Sequence, residues 1–484
     1  MPRRVLDPRI SVAVVYVAAQ FMSIMDGTVV NVALPTLANR FHVPSASIDA
    51  VVVGYLISVA VFIPVSGWLG DRWGTKRVFL FALGLFSLAS ALCGLAGSFN
   101  QLLIFRVLQG IGGGMLTPVG MAMLFRTFPP EQRVQASRIL IVPTVIAPAL
   151  GPVLGGLLVD RLSWRWVFYV NVPIGLAALI FGLLFLHEHR EHLAGRFDLP
   201  GFLLAGAGLP LLMYALSEGP AHGWTAPDIL GTAIVGLLLL ATFVFVELRT
   251  REPMVQLHLL RNRLFFTSTS VSVVASAGFL GVLFLLPLFL QEARGASALS
   301  SGLTTFPEAL GVLLSTQLVA RLYPRIGPRR LMAWGMLGVA VTMSLLSLVG
   351  LETSTWIVRG LMFLTGAGMA YVFLPNQAAA FATISPSATG RASTLFNAQR
   401  QLGSALGVAI LSSVLAAIGP TRLDASGAAQ PYLTAYHAAF LAAAAFALAA
   451  ALLALTVPDR DAAATMRHMS KRTEPVLEEV LVGE

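Results

Sequence analysis

The sequence predicts an all-α membrane protein that crosses the bilayer many times. Of its 484 residues, 56% are hydrophobic and only 11% are charged, and the mean hydropathy is +0.80. Soluble domains carry about 25% charged residues, so a chain of this length and composition cannot cover a water-facing surface. It can cover a surface that faces acyl chains, and we therefore expect it to lie in a lipid bilayer.

Fourteen segments are apolar enough to cross a bilayer, which takes about 20 residues each. Six precede a middle pair and six follow it. The first six are 11–36, 46–69, 77–97, 101–125, 135–159 and 166–186. The middle pair is 199–217 and 228–247. The last six are 264–290, 299–321, 331–350, 355–377, 393–418 and 432–456.

The basic residues set the orientation of these segments. With both termini cytoplasmic, most of the 32 Lys and Arg residues fall in cytoplasmic loops, as the positive-inside rule requires. Trp164, Trp166 and Tyr169 then lie at the outer interface, where aromatic residues concentrate. The same rule explains the net charge of +9 without a nucleic-acid partner, and we expect none.

An internal repeat relates the two sets of six segments. Gly74 aligns with Gly327, and Arg106 aligns with Arg359 at the same offset. Chance matching of Gly- and Arg-rich stretches does not explain a shared offset, so we infer duplication of a six-helix unit. The predicted domains are an N-terminal half, a two-helix insertion, a C-terminal half and a cytoplasmic tail. They span 1–190, 191–260, 261–458 and 459–484.

The loop "GWLGDRWGTKR", residues 67–77, combines glycines with one acid and several bases. Such a cluster is able to hold two helices together in one conformation and release them in another. The alternative is a loop that is basic only because it is cytoplasmic. The predicted latch residues are Gly67, Asp71, Arg72, Gly74, Lys76 and Arg77.

Two ionisable residues lie inside the first-half segments: Asp26 in "FMSIMDGTVVNVALPTL" and Arg106 in "RVLQG". Charged groups within the membrane are costly and are therefore functional candidates. A carboxyl group at this depth binds either a proton or an organic cation, and this competition couples the two. The alternatives are an Asp26 satisfied by Ser23 or Thr28, and an Arg106 that snorkels to the interface.

The stretch "APALGPVLGG" contains Gly151, Pro152, Gly155 and Gly156. Gly151 and Gly155 share one helix face and allow close packing, while Pro152 removes a backbone hydrogen bond and bends the helix. We expect a close, bent contact between the two halves, with ordinary helix packing as the alternative. Residues 403 and 407 repeat the glycine spacing in the second half.

These four motifs, together with "WRWVFYVNVPIG" and "FDLPG", resemble the fourteen-helix drug:proton antiporters of the major facilitator superfamily. The resemblance covers nearly the whole chain. It implies a major facilitator fold with two inserted helices, alternating access between the two halves, and exchange of a drug-like small molecule for protons. It further implies that Arg106 takes part in proton coupling and that "APALGPVLGG" is the antiporter signature. The first-helix signature is carried by Asp26, Asn31 and Pro35.

Glu308 is the other carboxyl group deep in a predicted span, and we expect it to affect recognition of cations. The remaining pocket candidates are polar or adaptable side chains on helices that the resemblance places around a central cavity. The predicted substrate-binding residues are Asp26, Asn31, Met115, Glu308, Tyr371, Asn376, Asn397 and Gln401.

The sequence shows no "GxxxxGK[ST]" motif for ATP, no catalytic constellation, and no metal or cofactor site. "HEHREH", 187–192, is interpreted as a charged loop. We therefore expect a monomeric, proton-coupled multidrug exporter of the bacterial inner membrane, not an enzyme, that acts on amphipathic, often cationic compounds. The alternatives are a dedicated exporter of one endogenous metabolite or lipid, and a receptor or scaffold that no longer transports.

Overall fold

The computed structural model describes residues 7–43, 48, 50–190, 197–423 and 429–466. Over these residues the all-α prediction is confirmed. The exception is a small antiparallel hairpin of β1, Thr421–Leu423, and β2, Ala429–Pro431. Most of the predicted tail and His192 lie outside the described residues.

A helix occupies the position of every predicted span. The first group is α1 Pro8–Phe41, α2 Ala50–Trp73, α3 Thr75–Leu95, α4 Phe99–Thr127, α5 Arg133–Arg161 and α6 Asn171–Phe185. The middle pair is α7 Leu199–His222 and α8 Pro227–Arg249. The last group is α9 Arg263–Leu288, α10 Pro307–Ile326, α11 Pro328–Leu346, α12 Thr355–Ala380, α13 Thr389–Ile418 and α14 Leu433–Ala454. One-turn helix Trp166–Tyr169 precedes α6, and helix Ala298–Thr305 precedes α10.

The outer surface of these helices is apolar. Large hydrophobic side chains such as Leu184, Trp334 and Leu348 are at least 70% exposed, which is costly in water but favourable against acyl chains. In the described part of the chain, twelve helical segments are long and apolar enough to cross a membrane. The protein is therefore a multi-pass membrane protein.

The two groups of six helices pack in the same pattern. In the first group, α1 packs against α5 and α6, and both α2 and α3 pack against α4. In the second group, α9 packs against α13 and α14, and both α10 and α11 pack against α12. The groups meet where α13 contacts α2 and α4, and where α5 contacts α10 and α12. The inserted α7–α8 pair packs through α7 against α2 and α13.

The α2–α3 and α10–α11 turns are built alike. Gly74 has φ +98° and Gly327 has φ +84°, values that favour glycine because it lacks a Cβ atom. In each half, an acid that follows the sixth helix caps the helix after the turn. Glu188, after α6, accepts from the Lys76 amide of α3 at 3.0 Å. Asp459, after α14, accepts from the Arg329 amide of α11 at 2.8 Å. This shared turn gives structural support to the repeat inferred from the sequence.

Candidate functional site

Asp26 lies inside the first helix group, on α1, and its side chain is fully buried. One carboxylate oxygen accepts from Arg106 Nη1 at 2.5 Å. The other oxygen accepts from Gln109 Nε2 at 2.9 Å and from Asn171 Nδ2 at 2.8 Å. Helices α1, α4 and α6 thus converge on one carboxylate, and its charge is held by an ion pair and two amide donors.

Arg106 is also fully buried, so it does not snorkel to the interface. Its Nε donates to the Val51 carbonyl at 3.2 Å, and Nη1 also donates to Gln109 Oε1 at 2.8 Å. The guanidinium carbon lies 4.3 Å from the centre of the Tyr55 ring, which adds a cation–π contact. The guanidinium and the Asp26 carboxylate therefore form a closed, water-excluded charge pair.

The hydroxyl groups expected as alternative partners of Asp26 are engaged elsewhere. Ser23 Oγ lies 3.4 Å from the Tyr55 hydroxyl, and Thr28 Oγ1 donates to the Met25 carbonyl at 2.9 Å. Asp26 also has no accessible surface. Direct contact between Asp26 and a substrate therefore requires the pair with Arg106 to open.

The sequence interpretation missed two members of this site. Gln109 lies three residues after Arg106, so both share one helix face, and this spacing inside "RVLQG" was a usable signal. Asn171 opens α6 and is fully buried. Its isolated amide in the apolar stretch "YVNVPIG" was a weaker signal, since nothing local ties it to α1.

Asp71 joins the two helix groups at the end of the bundle formed by the loops α2–α3, α4–α5 and α12–α13, here called the basic end. Its Oδ1 accepts from Arg126 Nη2 at 2.8 Å, and its Oδ2 lies 3.5 Å from Arg391 Nε on α13. Arg126 also donates to the Pro386 carbonyl at 3.1 Å. We call Asp71, Arg126 and Arg391 the cross-half cluster.

Gly67 allows α2 and α13 to approach closely beside this cluster. A Cβ atom at residue 67 would lie 2.5 Å from Thr394 Oγ1 and 3.2 Å from the Gly390 carbonyl. Ser66 Oγ is within 3.4 Å of the same Thr394 hydroxyl. Of the predicted latch residues, Gly67 and Asp71 thus contact the second half, and the partners of Asp71 are Arg126 and Arg391, which the sequence interpretation had counted only as loop charges.

The other predicted latch residues act within the first half. Lys76 Nζ donates to the Leu183 and Leu186 carbonyls at 3.0 and 2.7 Å, at the end of α6. Arg77 Nε lies 3.6 Å from the Glu188 carboxylate. Gly74 forms the turn before α3, and Arg72 is exposed. These residues fasten the α2–α3 turn to the end of α6 and do not reach the second half.

The glycines of "APALGPVLGG" make the predicted close contact, but with a different partner. A Cβ atom at Gly151 would clash with Thr28, and one at Gly155 would lie 3.1 Å from the Val29 carbonyl. Both neighbours are on α1, so the expectation of a contact between the two halves is wrong for this pair. Gly156 has no atom within 4 Å of its Cβ position. The Pro152 side chain lies outside the described part.

Gly155→Leu is expected to block the transport cycle or to convert exchange into leak. The larger side chain pushes α5 away from α1, the helix that carries Asp26. Gly156→Leu is the matched control, since its side chain enters open space. The measurement is substrate efflux together with passive proton leak in vesicles, and equal behaviour of the two variants would contradict the prediction.

Glu308 lies at a break within a span. Helix Ala298–Thr305 ends just before Pro307, and Glu308 is in the first turn of α10. Its side chain is only 9% exposed, and the carboxyl group has no hydrogen-bond or ion-pair partner among the described residues. Glu308 therefore remains a candidate for contact with a cation, at a position where the helix N-terminus favours negative charge.

The remaining substrate candidates do not form one cluster. Asn397 Nδ2 lies 3.2 Å from Met121 Sδ across the two halves, and Gln401 follows one turn later with partial exposure. Asn31 is exposed on α1. Met115 is packed inside the first half.

The two candidates on α12, Asn376 and Tyr371, do not join a cluster with these residues either. Asn376 is buried, and its Oδ1 has no hydrogen-bond partner among the residues that the structure describes. Tyr371 lines a groove between α11 and α12 beside the highly exposed Trp334. The groove faces the outer surface of the bundle, so the structure does not bring Tyr371 together with the other candidates.

Comparison with known proteins identifies the family. The Major Facilitator Superfamily model matches residues 16–408 and 308–478. Multidrug resistance protein B homolog of Mycobacterium tuberculosis is 34% identical over 405 residues, which cover 83% of this chain and 75% of that protein. Putative multidrug resistance protein MdtD of Escherichia coli is 32% identical over 411 residues, covering 85% and 87%.

Solved structures show the same fold at low sequence identity. The human organic anion transporter MFSD10 (TETRAN) has a TM-score of 0.66 at 17% identity. The match covers 93% of this chain and 100% of the transporter. The proton:xylose symporter XylE has a TM-score of 0.63 at 15% identity, covering 95% and 98%. The chain therefore belongs to the major facilitator superfamily, among the drug:proton antiporters.

Proposed function

We propose that the protein is a proton-coupled multidrug exporter that exchanges amphipathic, often cationic compounds for protons. Its relatives are named multidrug resistance proteins, and the superfamily consists of transporters of small molecules. The observation that carries proton coupling is the fully buried pair of Asp26 and Arg106. A buried carboxylate that is paired with one guanidinium changes the charge balance of the bundle when it binds a proton.

The proposed coupling runs through Arg106. While Asp26 is ionised, the pair is neutral overall and α1, α4 and α6 are held together. Protonation of Asp26 leaves the guanidinium without its counter-ion in a low-dielectric site, which is strongly unfavourable. The bundle relaxes by rearranging these helices, and the cross-half cluster at the basic end opens or closes in response.

We further propose the finer topology. All fourteen helices cross the membrane and both termini are cytoplasmic, which makes the basic end the cytoplasmic one, in agreement with the positive-inside rule. The halves are residues 1–190 and 261–458, separated by the insertion 191–260 and followed by the tail 459–484. The protein acts as a monomer in the bacterial cytoplasmic membrane.

Everted membrane vesicles test this function. Acidification of the lumen should drive uptake of a cationic dye such as ethidium, and an uncoupler should abolish it. Vesicles without the protein are the control. Absence of uptake for a panel of cationic, zwitterionic and neutral dyes would contradict multidrug export, while competition by one endogenous metabolite or lipid alone would favour a dedicated exporter.

Glu308→Gln is expected to reduce transport of divalent organic cations and to spare monovalent ones, if Glu308 is a second cation site. A buried ion pair that loses one partner typically costs about 3–5 kcal/mol, which is about two to nearly four decades of affinity. The measurement is competition by matched mono- and divalent cations against a fluorescent substrate. Equal loss for neutral, monovalent and divalent compounds would instead show a coupling or structural role.

A further inference from the structure

A third ionisable group lies deep between the two halves, and the coupling scheme does not use it. Arg400 is on α13, eleven residues after the helix begins at Thr389. At about 1.5 Å per residue this places it roughly 16 Å from the basic end, near the middle of a hydrocarbon core about 30 Å thick. Its side chain is neither fully buried nor fully exposed.

Arg400 faces the opposite half. The ionisable group that interacts electrostatically with Arg400 is Tyr16 on α1. Its phenol is neutral at physiological pH. Tyr16 is hydrogen-bonded to Gln20, and Gln20 Oε1 accepts from Thr117 Oγ1 on α4 at 2.8 Å. One turn from Arg400, Asn397 contacts Met121 of α4. Asn397 and Arg400 are three residues apart and share one face of α13, so the face of α13 that carries Arg400 meets the first half.

No carboxylate in the described part of the chain pairs with Arg400. Of the two acids deep in the spans, Asp26 is already paired with Arg106. The second acid, Glu308, has no electrostatic interaction with Arg400. An arginine at this depth normally pairs with an acid or faces a water-filled path. Arg400 thus presents an uncompensated positive charge to the space between the halves.

We propose that Arg400 binds an anionic group of the transported compound, so that the preferred substrates are amphipathic zwitterions or monoanions bearing a carboxylate or a similar acid. The guanidinium supplies planar, charge-assisted donors for such a group. The proposal rests on the proposed export function and narrows its substrate class, because a compound with an anionic group binds at this position more tightly than a purely cationic one.

Two dyes that differ only at one group test the proposal. Rhodamine 110 carries a free carboxylate, and rhodamine 123 is its methyl ester and a cation. Binding of each dye to the purified full-length protein is measured by fluorescence anisotropy without any gradient. Arg400→Gln removes the charge, and Arg400→Lys retains it.

We expect Arg400→Gln to weaken binding of rhodamine 110 by about 10- to 100-fold, the range for loss of a charge-assisted hydrogen bond. Binding of rhodamine 123 stays the same or becomes tighter. Arg400→Lys keeps most of the affinity for rhodamine 110. Arg359→Gln is the matched control, since Arg359 is another arginine within a span but lies 4.6 Å from the ring of the exposed Trp356. It should change neither affinity.

The proposal would be overturned if Arg400→Gln weakened binding of both dyes equally. It would also be overturned if the wild-type protein bound rhodamine 123 more tightly than rhodamine 110. Uptake driven by a pH gradient in proteoliposomes is the separate test of the export function. Charge-dependent binding without gradient-driven uptake would refute export but uphold the anion site. Gradient-driven uptake, together with dye binding that is the same in the wild type and in Arg400→Gln, would support export and refute the anion site.

Discussion

Asp26→Asn is expected to abolish export driven by a pH gradient. The amide is similar in size and can still accept from Gln109 and Asn171, but it cannot take up and release a proton. Every step that depends on neutralising the carboxylate is therefore lost. The measurement is dye efflux against its gradient in proteoliposomes with an imposed pH difference, and a rate equal to that of the wild type would refute the coupling role.

The same substitution is expected to destabilise the protein, because Arg106 keeps its charge in a site without solvent. Breaking a buried pair by removing one partner costs about 3–5 kcal/mol. A lower melting temperature alone would then explain a loss of transport. The double variant Asp26→Asn/Arg106→Gln separates the two effects, since it removes both charges and leaves neutral amides.

We expect the double variant to regain much of the thermal stability and to remain unable to couple transport to protons. Exchange of labelled for unlabelled substrate at equal pH needs no proton movement, so it can persist in this variant. Recovery of gradient-driven efflux in the double variant would show that neither charge carries the coupling.

The helices were predictable from the sequence because each span has to be apolar over about 20 residues. Asp26 and Arg106 were predictable as functional candidates for the same reason, since a charge at that depth is conspicuous. That the two residues form one pair was not predictable, because it depends on how α1 and α4 pack. The repeat in the sequence does not encode that packing.

The partners of the predicted motifs were hidden for a related reason. Arg126 and Arg391 look like ordinary cytoplasmic charges until Asp71 is placed between them. Gly151 and Gly155 predict a close contact, yet a glycine face does not specify which helix it meets. Local sequence thus identified the charged residues that are costly to bury and the glycines that allow close packing. Only the tertiary structure assigned their partners.

Asp71→Asn is expected to open the basic end of the bundle. Asp71 is only 2% exposed, and it balances Arg126 and Arg391, which lie on opposite halves. The neutral amide removes the attraction between this carboxylate and the two guanidinium groups, so the closed arrangement is weakened. At about 3–5 kcal/mol for a broken buried pair, a two-state equilibrium shifts by about two to nearly four decades.

Spin labels at the exposed residues Glu131 and Ser387, substituted by cysteine, report the separation of the halves at this end by pulsed electron resonance. The native Cys93 is buried, which leaves the introduced cysteines as the reactive ones. Arg77→Gln is the matched control from the same loop. Its guanidinium is 74% exposed and pairs with Glu188 of its own half, and exposed pairs contribute little.

Asp71→Asn should move the distance distribution toward longer separations, while Arg77→Gln should leave it as in the wild type. A variant locked open at this end cannot complete alternating access, so its efflux should fall even though Asp26 and Arg106 are intact. If the distances of Asp71→Asn match those of the wild type, the cross-half cluster is packing and not a latch. If Arg77→Gln also opens the bundle, the closure depends on the total charge of the loop rather than on the geometry of one carboxylate.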